Sequence, residues 1–100
     1  MAFELNGQTA IVTGAATGIG EAIARRLAKA GAAVAVADLN LDGATQVARS
    51  ISGEAFPLRI DIARSDAVNG AIAQVIERRG RIDVLVNNAG IAGKAASLWE

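Results

Sequence analysis

Cysteine, histidine and tyrosine are all absent from the 100 residues. Without cysteine there are no disulfides and no thiolate metal site. Without histidine and tyrosine, two of the commonest acid-base side chains are missing, so the chain offers no obvious catalytic group and no metal is expected. Aromatic residues make up only 3%, which leaves a core of small and β-branched side chains. Charge of one sign is lacking too: ten Lys plus Arg balance ten Asp plus Glu, and the basic residues are scattered apart from Arg78, Arg79 and Arg81. No electrostatic footprint for nucleic acid or an anionic membrane follows. The longest apolar segment, "AAVAVA" from Ala32 to Ala37, is far too short to span a bilayer, and "MAFELNGQ" has no basic start leading into a long apolar stretch. A soluble, cytoplasmic protein is expected.

What is present is a globular composition, 52% hydrophobic and 20% charged, at the size of one small domain. Such a chain buries roughly 60 to 65% of the surface its unfolded form exposes. Two periods alternate along it. "TAIVT" (Thr9 to Thr13) is a short continuous apolar run, which reads as a strand buried on both faces. From Gly18 to Ala30 the residues Ile19, Ala22, Ile23, Leu27 and Ala30 fall at helical spacing, with Gly31 as the stop. "AAVAVAD" is a second buried strand. Leu41, Ala44, Val47, Ala48 and Ile51 mark a second helix, ended by Gly53.

The third strand, "AFPLRID", contains the only proline, Pro57. Proline cannot donate to a ladder, so this strand belongs at a sheet edge. Ser65 is expected to cap a third helix with a buried stripe of Val68, Ala71, Ile72, Val75 and Ile76, ending near Gly80. "IDVLVNN" (Ile82 to Asn88) is the fourth strand. Alternating strands and helices form parallel sheets through right-handed crossovers. With strand three at the edge, strand four must return to the far side of strand one. The expected fold class is therefore α/β, a Rossmann-type doubly wound parallel sheet in the order 3-2-1-4. The reversal opens a crevice at the C-terminal ends of strands one and four, where ligands of such sheets bind. The glycine loop, Asp38, Asp61 and the Asn87-Asn88 pair all fall on that rim.

The glycine spacing of the loop "TGAATGIG" (Thr13 to Gly20) suits a phosphate, although glycines at a strand-helix turn can also serve the turn alone. Gly14 lets the chain turn sharply after strand one, and Gly18 and Gly20 open the helix where a Cβ would block close approach. The helix N-terminus then offers unpaired N–H groups and partial positive charge to a pyrophosphate. Asp38 ends strand two, eighteen residues beyond Gly20, where a carboxylate can accept from both hydroxyls of an adenosine ribose. It would repel a 2′-phosphate, and Thr17, Leu39 and Asn40 supply no cation, so NAD(H) is favoured over NADP(H). A P-loop enzyme would need Lys and Ser or Thr after the last glycine; Glu21 and Ala22 stand there instead. A methyltransferase, whose adenosyl cofactor suits the same loop and acid, stays open at this point.

Two motifs together resemble a known family. "TGAATGIG" is similar to the TGxxxGIG fingerprint of the short-chain dehydrogenases/reductases, and "NNAG" (87 to 90) to their second signature after the fourth strand. Asp38 and the pair Asp61-Ile62 match in type and place. The resemblance covers essentially the whole chain, and a methyltransferase would not show both motifs. It implies that Gly14, Thr17, Gly18, Ile19 and Gly20 pass under the pyrophosphate and that Asp38 binds the adenosine ribose. Asp61 would accept from the adenine amino group with Ile62 lining that pocket. Asn88, Ala89 and Gly90 would flank the cofactor's ribose while the two amides tie strand four into the sheet.

The family's Ser, Tyr and Lys lie beyond NNAG. This chain has no tyrosine, and neither Lys29 nor Lys94 is placed to replace the lysine, so no catalytic residue is assigned within it. "SLWE" forms a capping box, Ser97 with Glu100, opening a helix that stops inside its first turn. Strand four, apolar on both faces, would be left as a bare edge. The expectation is the N-terminal, NAD-binding part (residues 1–100) of a longer dehydrogenase, inactive alone. When complete it would move a hydride between nicotinamide and an alcohol or ketone such as a sugar, polyol or hydroxy acid. It would then be a homo-oligomer acting on a small molecule. The alternatives are a non-catalytic NAD-binding module complete at this length, and a relative of the 3-oxoacyl carrier-protein reductases.

Overall fold

The structure is a computed structural model that describes residues 4–88. Its elements follow the alternation of periods: β1 Thr9–Thr13, α1 Gly18–Lys29, β2 Ala33–Asp38, α2 Leu41–Ser50, β3 Ala55–Arg59, α3 Ser65–Arg79 and β4 Val84–Val86. The four strands form one parallel sheet in the order β3-β2-β1-β4. Pro57 lies on the outer strand, opposite Val36 in register, so its missing N–H removes nothing from an interior ladder.

Side chains of a strand alternate between faces, and this sheet uses both. Ala10, Val12, Val34 and Val36 point to the side covered by α1 and α2, where they meet Ala24, Ala44 and Val47. Ile11, Ala35, Ala37, Phe56 and Leu58 point to the other side, against Ala71 and Val75 of α3. The alanines let the helices sit close to the sheet. The larger residues carry the stabilisation: Ile11, Val12, Val34 and Val36 are at most 1% exposed, each contributing about 1.5–3 kcal/mol. Among the described residues no helix is long and apolar enough to cross a membrane.

The end of the sheet away from the glycine loop is closed by polar groups. The Thr9 N–H donates to Asp83 Oδ2 at 2.8 Å, and the Asp83 N–H donates to Thr9 O at 2.8 Å. Arg81 grips the same carboxylate, with Nη2 2.7 Å from Oδ1. That hydrogen bond, and next the Thr9 N–H, hold the Asp83 carboxyl below the usual carboxylate range. Arg79 Nε donates to Thr9 Oγ1 at 3.2 Å while its Nη1 pairs with Glu54 at 2.7 Å, linking α3, β1 and the approach to β3.

Three expectations need correction. Ser65 is the first helical residue of α3, not its cap: the cap position is Arg64, with no side-chain cap hydrogen bond. Ile76, expected in the buried stripe of α3, stands 44% exposed, because the sheet covers a narrower stripe of that helix than the apolar spacing suggests. Strand four is shortened to Val84–Val86, with Leu85 56% exposed; among the described residues nothing pairs beyond this edge. The capping box Ser97 to Glu100 lies outside the described residues.

Candidate functional site

The glycine loop turns where the backbone requires glycine. Gly14 has φ +63 and Gly18 φ +61, values that side-chain-bearing residues rarely adopt. A Cβ on Gly18 would meet nothing within 4 Å, so the space above it is open. A Cβ on Gly20 would run into the Gly14 carbonyl and lie 2.7 Å from Asn88 Nδ2. Gly18 thus clears the mouth of the loop, and Gly20 lets the loop close on itself.

Residue Thr17 caps α1 by position only, extended at φ −149 with no side-chain cap hydrogen bond. The first N–H groups of α1 therefore keep their positive partial charge for an anion. Glu21, the acid in that turn, is drawn to Arg25 of the next, with Nη2 2.7 Å from Oε2. Open space at Gly18 and a helix start without a side-chain cap suit a pyrophosphate.

The loop is fastened on both sides. Toward β2, the Ala15 N–H donates to Ala37 O and the Ala16 N–H to Asp38 Oδ2, both at 3.0 Å. Toward β4, Asn88 Nδ2 donates to Gly14 O at 3.3 Å. Thr13 Oγ1 lies 3.2 Å from Asn87 Oδ1 and 3.4 Å from Val86 O and donates between them. The second asparagine thus holds the turn and the first holds the strand end.

Asp38 is half-buried at the end of β2. Asp61, also half-buried, accepts the Ala63 N–H at 3.0 Å and shapes the turn before α3. Ile62, Leu39 and Ile19 are exposed apolar side chains at 37%, 55% and 73%; the first two follow β3 and β2 and the third opens α1, where flat rings could rest. A cleft of about 520 Å³ opens on the α3 side, lined among others by Ile11, Thr13, Ile60, Ile62, Leu85 and Asn87. It runs from Ile62 to Asn87.

Most of the residues singled out from the sequence therefore gather on one rim: Gly14, Thr17, Gly18, Ile19, Gly20, Asp38, Asp61, Ile62 and Asn88. Ala89 and Gly90 lie outside the described residues. Sequence reasoning missed Thr13, whose hydroxyl joins β1 to β4; Ala16, whose N–H reaches Asp38; and the exposed Leu39. A threonine placed directly before the first glycine was the available signal for Thr13. Ala16 had none, since its role lies in its backbone.

The short chain dehydrogenase family model matches residues 8–99. The chain belongs to the short-chain dehydrogenase/reductase family. Among curated relatives it is 45% identical over 93 residues to D-threitol dehydrogenase of Mycolicibacterium smegmatis, covering 90% of this chain and 36% of that protein. It is 40% identical over 87 residues to sorbitol dehydrogenase of Cereibacter sphaeroides, covering 87% and 34%. The crystal structure of hydroxysteroid dehydrogenase from Escherichia coli superposes with a TM-score of 0.85 at 41% identity, over 93% of this chain and 41% of that one. This short-chain dehydrogenase/reductase chain thus spans well under half the length of these relatives.

Proposed function

We propose that this chain binds NAD(H) and forms the cofactor-holding part of a dehydrogenase that acts on an alcohol or the corresponding ketone, in the sugar, polyol and hydroxy-acid class. One observation carries the reading. An acid, Asp38, ends β2 with its carboxylate bonded to the glycine loop, where an adenosine ribose bound along that loop would present its hydroxyls. A 2′-phosphate would face that negative charge, and the adjoining Leu39 and Asn40 offer no cation to offset it. The relatives named sorbitol dehydrogenase and D-threitol dehydrogenase support the substrate class.

When bound, the nicotinamide supplies or accepts the hydride. The residues here hold and orient the dinucleotide. Gly14 and Gly18 admit the pyrophosphate to the start of α1, and Asp38 accepts from the ribose. Asp61 would accept from the adenine amino group beside Ile62, and Asn88 would lie beside the cofactor's ribose. No tyrosine is present to move the substrate proton; we place that chemistry in the part of the relatives this chain does not span.

The test is calorimetric titration of the protein carrying this sequence with NAD+, NADP+ and S-adenosylmethionine. NAD+ is expected to bind at least about tenfold more tightly than NADP+, a difference of about 1.4 kcal/mol. Equal affinities, or preference for NADP+, would remove the coenzyme reading. Preference for S-adenosylmethionine would remove the dehydrogenase reading altogether.

A further inference from the structure

The Asp38 carboxylate already has two partners within the chain. Its Oδ2 accepts from the Ala16 N–H at 3.0 Å and its Oδ1 from the Asn40 N–H at 2.9 Å. Ala16 lies in the turn from β1 to α1 and is only 8% exposed. Asn40 in turn caps α2, accepting the Gly43 N–H at 3.1 Å. A Cβ on Gly43 would lie 3.0 Å from the Ala16 Cβ, so the bare glycine lets α2 come up against the loop. One carboxylate therefore joins the phosphate loop to the start of the second helix.

We infer that Asp38 is a positioning residue for the phosphate loop as well as the ribose acceptor, so that the adenosine and pyrophosphate ends of the site are coupled through one side chain. This rests on the dinucleotide reading proposed above. A charged acceptor bonds a backbone N–H more strongly than a neutral one, and an N–H at so buried a residue is costly to leave unpaired. A loop without the brace must be ordered by its ligand, and that ordering subtracts from affinity. Each carboxylate oxygen has a second lone-pair site, so two backbone bonds still leave capacity for ribose hydroxyls. Any change of coenzyme preference made at position 38 then disturbs the loop as well.

The probe is 2′,3′-dideoxyadenosine 5′-diphosphate, which keeps the adenine and the diphosphate but offers Asp38 no hydroxyl. Its affinity and the melting temperature are measured in the full protein carrying this sequence, for Asp38→Ala, for Asp38→Asn, and for an amide-to-ester replacement at Ala16 that removes the N–H and leaves the side chains unchanged. Removing a negative charge by itself would tighten an anionic probe, so weakening reports the brace. Asp38→Ala and the Ala16 ester are expected to weaken the probe by about tenfold, and Asp38→Asn, with one acceptor left, by less. Unchanged probe affinity in both Asp38→Ala and the ester, with NAD+ weakened only in Asp38→Ala, would overturn the inference and leave the coenzyme reading standing. A loss that merely follows a lowered melting temperature across all three variants would also overturn it. Failure of the unaltered protein to bind either NAD+ or the probe would sink the coenzyme reading and the coupling with it.

Discussion

Placing a methyl group on Gly20 sets two effects against each other, and the packing around Gly14 decides between them. Gly20 is in the first turn of α1 and has no positive φ, so alanine there gains about 1 kcal/mol of helix propensity. Against this, the new Cβ would overlap the Gly14 carbonyl oxygen and lie 2.7 Å from both the Gly14 carbonyl carbon and Asn88 Nδ2. The first two atoms are backbone of the turn and cannot swing aside. The third belongs to the amide that donates to Gly14 O. Overpacking of this kind costs about 1–3 kcal/mol, and losing the amide bond about 1 kcal/mol more. The net effect of Gly20→Ala is a destabilisation of about 1–3 kcal/mol. Each kcal/mol moves the thermal midpoint of a domain of this size by about 4–8 °C, and a longer chain by about half as much. Scanning calorimetry reads the shift, and dinucleotide titration follows the site. Gly18→Ala is the control: it bears the left-handed φ but its Cβ meets no atom within 4 Å, so it carries backbone strain of about 1–2 kcal/mol without a clash. A Gly20→Ala protein that melts at or above the unaltered one would refute the reasoning, because propensity would then have outweighed contact.

Acid should loosen the far end of the sheet. The Asp83 carboxyl is held low by Arg81 and then by the Thr9 N–H, so its contribution is complete above its unfolded pKa of about 3.9 and is lost as pH falls through the lower folded value. Asp83→Asn should flatten the acid limb of a melting-temperature profile, and an unchanged slope would count against the pairing. Thr9→Val keeps the shape of a side chain that is 0% exposed but removes the acceptor for Arg79 Nε. A loss of about 1 kcal/mol is expected, seen as a lower urea midpoint at constant m-value. Val36→Ala, at a fully buried position of the interior strand β2, should cost roughly 1–3 kcal/mol in the same assay, and a neutral result would mean that the helices close over the gap.

Much of this fold could be read in advance because local signals agreed with the whole. The unbroken apolar runs of β1 and β2 require cover on both faces, and Pro57 forces β3 outward, which leaves only one side of β1 for β4. The glycines, Asp38, Asp61 and Asn88 followed, since all stand where strands end. What escaped has physical causes. Helical spacing tells which residues share a stripe, not how wide a stripe the sheet covers, so Ile76 was placed inward. Ser65 looked like a cap, yet the turn before α3 is shaped by Asp61 through the Ala63 N–H. At the site itself, an acid at a strand end reads as free, and only the folded chain brings Asp38 to Ala16, 22 positions earlier.

The contacts that seat the glycine turn from the β4 side join Gly14 to Asn88 and Thr13 to Asn87, each 74 positions apart. Contacts so distant along the chain form late, after the loop between them has been closed. During synthesis from the N-terminus, β1, α1 and β2 emerge first and can already set Asp38 against Ala16. Gly14 acquires its other partner only when Asn88 has left the ribosome. Because β4 is laid beside β1, the nascent chain gains one wall of the proposed nucleotide site early and the opposite wall only once Asn88 has emerged.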